Sequence, residues 1–124
     1  MSDCNVTLKD GRDMYMPQWG VFVAHENLGK LNEVFNQEAL GEMILGDKPL
    51  AAFVHATMNN KDPQEAASLT RFVVSQARVD GKKVSTFVDD LTLELCAEIF
   101  TEILKSQYKS FLEYGLAEAN SQDS

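Results

Sequence analysis

The chain has 124 residues, of which 44% are apolar, and its formal net charge is −8. This length suits one globular domain, and the apolar fraction is sufficient for a packed core. The acidic balance repels phosphate backbones and argues against direct nucleic-acid binding. Lys82-Lys83, the only adjacent basic pair, lies beside a glycine and is interpreted as a solvated turn.

The termini and the cysteines predict a cytosolic protein. The N-terminus, MSDCNVTLKD, lacks the apolar run of a signal peptide, and no segment reaches the roughly 18 consecutive apolar residues of a membrane helix. Cys4 is expected in a frayed terminus and Cys96 in an apolar helix. Their spacing does not suggest a zinc site, and a disulfide between them is possible but unsupported. We expect reduced thiols and no membrane partner.

A short β-hairpin is predicted at about residues 5–16. Two alternating runs flank Asp10-Gly11, a dipeptide that favours the two positive-φ positions of a tight turn. With a two-residue loop, Lys9 would face Arg12.

Two helices are predicted next. Pro17 suits the first turn of a helix because it has no backbone donor to lose there. Gly20 and Gly29 weaken this helix, which allows a break or kink near residues 25–29. Asn36 can cap a second, short helix that stops at Gly46. One apolar face of the first helix holds Ala24, Leu28, Leu31 and Phe35, and the second helix contributes Leu40, Met43 and Ile44.

A third and a fourth helix follow. Asp47 is predicted to cap the third. Asp62, Pro63 and Glu65 form the sharpest start signal in the chain, with an N-cap, a proline at the first position and a glutamate at the third. The segment RVDGKKV is expected to end the fourth helix. The predicted core positions of these two helices are Leu50, Phe53, Val54, Met58, Ala66, Leu69, Val73 and Ala77.

The last predicted helix is the longest, at about six turns. Thr92 can cap it, Gly115 is expected to end it, and residues 116–124 are expected to form a disordered polar tail. The fold class is therefore mainly α, a single domain over residues 1–115 with four to five helices and a short N-terminal β-hairpin. The core positions of this helix are Leu93, Cys96, Ile99 or Phe100, Ile103, Leu104, Tyr108, Phe111 and Leu112.

No catalytic, metal or cofactor site is predicted. His25 and His55 lack ligands at zinc-site spacing. Burial of Cys96 among apolar neighbours would raise its pKa and make it inert as a nucleophile. Asp89-Asp90 is interpreted as helix-start charge rather than a cation site. We therefore expect a protein that is not an enzyme and carries no cofactor.

Two surfaces are candidates for binding a partner. Apolar residues cover more than one stripe of the last helix, so its wide face is expected to be completed by a second copy or a partner helix. Glu94, Glu98 and Glu102 form an acidic stripe, either a solvated face or a docking edge for a basic partner. The candidate partner-binding residues are Trp19, Phe22, Leu95, Ile99, Leu104 and Tyr108.

Two segments carry a family resemblance. They are LKDGRDMYMPQWGVFVAHENLGKLNEVF, from Leu8 to Phe35, and DLTLELCAEIFTEIL, from Asp90 to Leu104. A short strand pair, a Pro-Gln-Trp helix entry, several helices and an acidic polar tail occur in that order. In this pattern of residue types the chain resembles the small tail assembly chaperones of tailed bacteriophages and prophages.

The resemblance implies a protein partner and no enzymatic activity. Such proteins bind the tape-measure protein, keep its apolar helices soluble, assist assembly of the tail tube and commonly self-associate. It also implies the host-cell cytoplasm as the location. The hairpin would then cover one end of the helical body or pair with a second copy.

Two other classes of protein stay open. One is a baseplate or tail-hub assembly factor, which would associate with hub proteins. The other is an acidic inhibitor of a host defence enzyme, which needs a contiguous carboxylate surface. Lys105 and Lys109 interrupt that surface.

Overall fold

The computed structural model describes the backbone of residues 3–122 and the side chains of residues 3–114. Five helices and an antiparallel strand pair at the N-terminus confirm the predicted mainly α class for this part of the chain. Two 3₁₀ turns, Val84–Thr86 and Val88–Asp90, precede the last helix. The elements in chain order are β1 Cys4–Thr7, β2 Asp13–Met16, α1 Val21–Phe35, α2 Gln37–Leu45, α3 Pro49–Met58, α4 Pro63–Val74, β3 Arg78–Val79, β4 Lys82–Lys83 and α5 Leu93–Gln122.

The core is built around α5, which packs against α2, α3, α4 and β1. Three buried phenylalanines join the helices at its centre. The ring of Phe100 on α5 lies 5.0 Å from that of Phe53 on α3 and 5.7 Å from that of Phe35 on α1, measured between centroids. These are favourable tilted contacts between large apolar groups.

The N-terminal hairpin has a three-residue loop, so the predicted two-residue turn and the pairing of Lys9 with Arg12 are wrong. The Leu8 N–H donates to the Arg12 carbonyl at 2.8 Å, and the Gly11 N–H donates to the Leu8 carbonyl at 2.9 Å. In this loop only Gly11 takes a positive φ, of 93°, while Asp10 binds the Arg12 backbone and guanidinium. This is the pattern of a turn closed by one left-handed glycine.

A second hairpin extends the sheet, which has the order β1-β2-β3-β4. Asp80 and Gly81, with φ of 50° and 81°, form its tight turn. The Asp80 N–H donates to the Asp13 carbonyl at 2.8 Å, and the Asp13 N–H donates to Asp80 Oδ1 at 3.0 Å. Part of RVDGKKV, predicted only to end the fourth helix, is therefore strand, and Lys82 and Lys83 belong to β4 rather than to a turn but are exposed as expected. In this structure, the partner of the N-terminal hairpin is this second hairpin.

Two predicted helix starts are wrong. Pro17 precedes α1, which begins at Val21, because the backbone of residues 17–19 binds the side chain of Gln107 instead of helical partners. Helix α1 also continues through Gly29 without the suggested break. Asp47 does not cap α3, since Lys48 holds the N-cap position and Pro49 is the first helical residue.

Three predicted caps are present. Asn36 Oδ1 accepts from the Ala39 N–H at 2.9 Å and opens α2. Asp62 Oδ1 accepts from the Glu65 N–H at 3.1 Å at the start of α4. At the start of α5, Thr92 Oγ1 accepts from the N–H of Leu95 at 3.2 Å. Each bond satisfies a backbone donor that the helix leaves free.

Helix α5 continues through Gly115 to Gln122, so the predicted end at Gly115 is wrong. A glycine inside a helix costs about 1 kcal/mol but does not stop it as proline does. The side chains of residues 115–122 and all of residues 123–124 lie outside the described part of the chain. The division into a domain over residues 1–115 and a disordered tail stays a prediction.

Most predicted core positions are buried, with four corrections. Met58, Leu93 and Phe111 were expected in the core but are 79%, 63% and 55% exposed. Cys4 was expected in a frayed end and is instead buried in β1. Hydrophobic periodicity predicts which face of each helix points inward. It does not predict where the neighbouring elements end and leave part of that face exposed.

We predict that Phe100→Ala lowers the free energy of unfolding by roughly 3–5 kcal/mol, because it removes the ring at the centre of the core. Denaturant unfolding of the purified protein measures this. Phe22→Ala is the control, since Phe22 is 82% exposed and its loss should change stability by no more than about 0.5 kcal/mol. Equal stability of wild type and Phe100→Ala would contradict this placement.

We also predict that deletion of residues 116–124 leaves the cooperative unfolding transition unchanged. Near the end of the described side chains of α5, contact with the core is reduced, since Phe111 and Tyr114 are 55% and 68% exposed and Leu112 is half-buried. Thermal unfolding followed by circular dichroism measures the effect. A broad, non-cooperative transition in the truncated protein would show that the tail stabilises the domain.

Candidate partner-binding surface

An apolar cleft of about 190 Å³ opens between the first turns of α1 and the C-terminal half of α5. We call it the α1–α5 cleft. Its size is modest, so it suits one or two side chains rather than a whole small ligand. Residues that line it include Trp19, Val21, Leu28, Gln107, Tyr108 and Phe111.

Tyr108 forms the buried side of the cleft. Its side chain is 3% exposed, and its hydroxyl donates to the Ala24 carbonyl at 2.7 Å, which ties α5 to α1. Burial raises the pKa of Tyr108, so the hydroxyl stays protonated and remains a donor. Its ring centroid lies 6.0 Å from that of Trp19, with the two planes tilted by 60°.

Gln107 holds the segment that precedes α1. Its Oε1 accepts from the Trp19 N–H at 2.9 Å, and its Nε2 donates to the Pro17 carbonyl at 3.1 Å. The Trp19 indole N–H donates to Gln76 Oε1 at 2.9 Å. These three bonds satisfy polar groups that would otherwise lose their water partners when an apolar ligand covers the cleft. They also hold Trp19 at one wall of the cleft.

The rim of the cleft is apolar and open. Val21 and Phe111 are 61% and 55% exposed, and the His25 ring meets the Phe111 ring at 6.2 Å in an edge-on arrangement. Tyr114 is 68% exposed one helical turn beyond. Large apolar side chains grouped around a concave site mark a surface suited to protein contact.

The structure separates the six candidate partner-binding residues. Trp19 and Tyr108 line the cleft. Phe22 is 82% exposed but lies outside the cleft lining, and Leu95 is half-buried. Ile99 and Leu104 are fully buried, so in this fold they belong to the core and can meet a partner only if the domain opens.

The three glutamates of the predicted acidic stripe differ in their contacts and exposure. Glu98 Oε2 accepts from the Lys9 N–H at 2.9 Å, so this carboxylate closes the turn of the N-terminal hairpin. Glu102 lies 4.0 Å from the Lys105 ammonium, a long and weak ion pair between half-buried side chains. Glu94 alone of the three is exposed. The stripe therefore contributes partly to the fold, and its role as a docking face stays a prediction.

Several residues that line or support the cleft were not predicted from sequence. Gln76 and Gln107 are polar residues in or beside helices, and no local sequence pattern indicates their hydrogen bonds to the Pro17–Trp19 segment. In the sequence, His25 stands out only as a possible metal ligand, and hydrophobic periodicity places Phe111 in the core. The spacing of Val21, Leu28 and Trp19 near the start of α1 is the signal that could have suggested the cleft.

Chemically reactive groups do not gather at the cleft. Cys4 and Cys96 are free, and burial raises the pKa of both thiols, which keeps them protonated. Among the described residues, no group of three His, Cys, Asp or Glu side chains could hold a metal ion. Within the same part of the chain, no helix combines the length and apolar character needed to cross a membrane.

A protein-family model matches most of the chain. The family model described as phage tail assembly chaperone protein, TAC, matches residues 10–118. The match includes all five helices except the last residues of α5, and it contains every residue named in the cleft. No curated protein and no solved structure gives a significant match.

We predict that Gln107→Ala lowers the free energy of unfolding by roughly 1–3 kcal/mol, because it leaves two backbone groups of the Pro17–Trp19 segment without partners. The emission of Trp19, the only tryptophan, should also shift to longer wavelength as the indole meets more water. Lys109→Ala is the control on the exposed side of α5. Unchanged emission and stability in Gln107→Ala would show that the segment is held by other contacts.

Proposed function

We infer the function of this chain from its family, because it belongs to the phage tail assembly chaperone proteins. Within that role, we propose that it binds apolar helices of the tape-measure protein and keeps them soluble while tail-tube subunits assemble. It acts without catalysis, in the cytoplasm of the host cell. Its partners are therefore other tail proteins.

The α1–α5 cleft is the observation that supports this proposal. An amphipathic helix binds a groove through apolar side chains at i, i+3 or i+4 spacing. The cleft would take one such side chain against the wall that Trp19 and Tyr108 form together. The exposed rim, with Val21 and Phe111, would cover the next ones along the helix.

The charge of the chain fits the same role. A chaperone must expose apolar surface without aggregating, and a net charge of −8 supplies repulsion between free copies. Most other large apolar side chains of α5, such as Ile99 and Leu104, are already buried. Among the described side chains of α5, the large apolar ones left exposed are Leu93 at its start and Phe111 and Tyr114 near the cleft, so the cleft end offers the larger apolar contact.

The test compares two double variants for binding to a co-expressed segment of the tape-measure protein. Val21→Ser with Phe111→Ser removes the rim, and binding should weaken by roughly tenfold or more because a few central apolar contacts dominate such interfaces. Met58→Ser with Leu93→Ser is the matched control, since both residues are exposed apolar side chains outside the cleft.

Co-purification reports complex formation, and Trp19 emission reports whether the cleft is covered. A shift of that emission to shorter wavelength is expected when the segment binds wild type. Equal loss of binding in both double variants would contradict a role of this cleft. Capture of hub proteins instead of the tape-measure segment would favour a baseplate or tail-hub assembly factor.

Self-association, which the family resemblance implied, is a separate proposal. Light scattering at several concentrations measures the mass of the free protein. If wild type is an oligomer and the Val21→Ser/Phe111→Ser protein is a monomer, the cleft is an interface between copies of the chain and not a tape-measure site.

A further inference from the structure

A second, larger concavity lies at the other end of α1. It is a groove of about 670 Å³ formed where the end of α1 meets α2, α3 and the start of α4. We call it the α2–α4 groove. Helix α1 has 15 residues and spans about 22 Å, so the groove and the α1–α5 cleft are well separated. The proposed function does not use this groove.

The rim of the groove is strongly acidic. Its lining includes one lysine, Lys61, and one histidine, His55, which leaves four net negative charges when the histidine is neutral. The five carboxylate side chains are all exposed, and none takes part in the three ion pairs found among the described residues. These five are Glu33, Glu38, Glu42, Asp62 and Glu65.

The inner surface of the groove is apolar and shallow. It is formed by small, half-buried side chains: Val34, Ala39, Ala52 and Ala56. Lysine and arginine place an aliphatic stem on apolar surface while the charged end reaches polar groups. A surface of small apolar residues below a rim of carboxylates matches both parts of such a side chain.

The walls of the groove are fixed before any ligand arrives. The Asn60 amide donates to the Val34 carbonyl at 2.6 Å and joins the α3–α4 connection to α1. Asn36 and Asp62 cap the two helices that begin at the groove. A preformed site loses less conformational entropy on binding than one that must first be ordered.

We propose that the α2–α4 groove binds a basic segment of a partner protein, one with several lysine or arginine residues within a short stretch. Charge complementarity selects this occupant, since a cationic segment relieves the repulsion among the five carboxylates. A second copy is disfavoured by its own net charge of −8. Its exposed Lys82 and Lys83 are the competing occupant that the experiment must test.

The probe is a fluorescently labelled peptide of alternating lysine and alanine, with a peptide of alternating glutamine and alanine for comparison. Wild type should bind the lysine peptide, and added salt should weaken binding. The groove variant combines Glu38→Gln, Glu42→Gln and Glu65→Gln, and its affinity should fall roughly tenfold. Fluorescence anisotropy measures both effects.

The matched control combines Glu26→Gln, Glu94→Gln and Glu113→Gln. These carboxylates are also exposed but lie outside the groove, so the net charge changes equally. The control should bind the lysine peptide as wild type does. Circular dichroism of all three proteins verifies that each is folded.

Two results would overturn the proposal. An equal loss of affinity in the groove variant and the control would mean attraction by net charge alone. The second result is that wild type does not bind the lysine peptide, while light scattering gives wild type a larger mass than the groove variant. In that case, a second copy occupies the groove.

Discussion

The packing of one face of α5 is the constraint on which the rest of the structure depends. Phe100 brings α1 and α3 together through Phe35 and Phe53, at the centre of the core. The same helix binds the hairpin turn through Glu98 and the Pro17–Trp19 segment through Gln107. The α1–α5 cleft forms where α5 extends beyond the elements that cover it, so the candidate surface follows directly from the length of this helix.

The two concave sites differ in chemistry because they lie at opposite ends of α1. At its start, the wall is aromatic and the neighbouring backbone groups are already bonded to Gln107, which suits apolar side chains. At its end, helices α2 and α4 begin, and their first turns bring carboxylates to one rim. Acidic residues are favoured there by the helix dipole, whatever partner they meet. One short helix thus separates an apolar surface from an anionic one.

The fold class and three helix caps could be predicted from sequence because they depend on local chemistry. Asn36, Asp62 and Thr92 accept bonds within their own turns. The second hairpin was missed although Asp80-Gly81 repeats the dipeptide of the first turn, since strands of two residues show no alternation. The cleft depends on Gln107, whose bonds join residues about ninety positions away. No local sequence pattern predicts a contact between residues so far apart in the chain.

The sheet has a consequence for the order in which the chain can fold as it is synthesised. The N-terminal hairpin is made first, yet Asp13 binds Asp80 across 67 positions, and Lys9 binds Glu98 across 89. An isolated two-stranded hairpin is marginally stable in water. The first strands therefore gain their native neighbours only when most of the chain has left the ribosome, and Met14 and Met16 stay without a core until then. The native contacts of the first hairpin are therefore complete only after α5 has been synthesised.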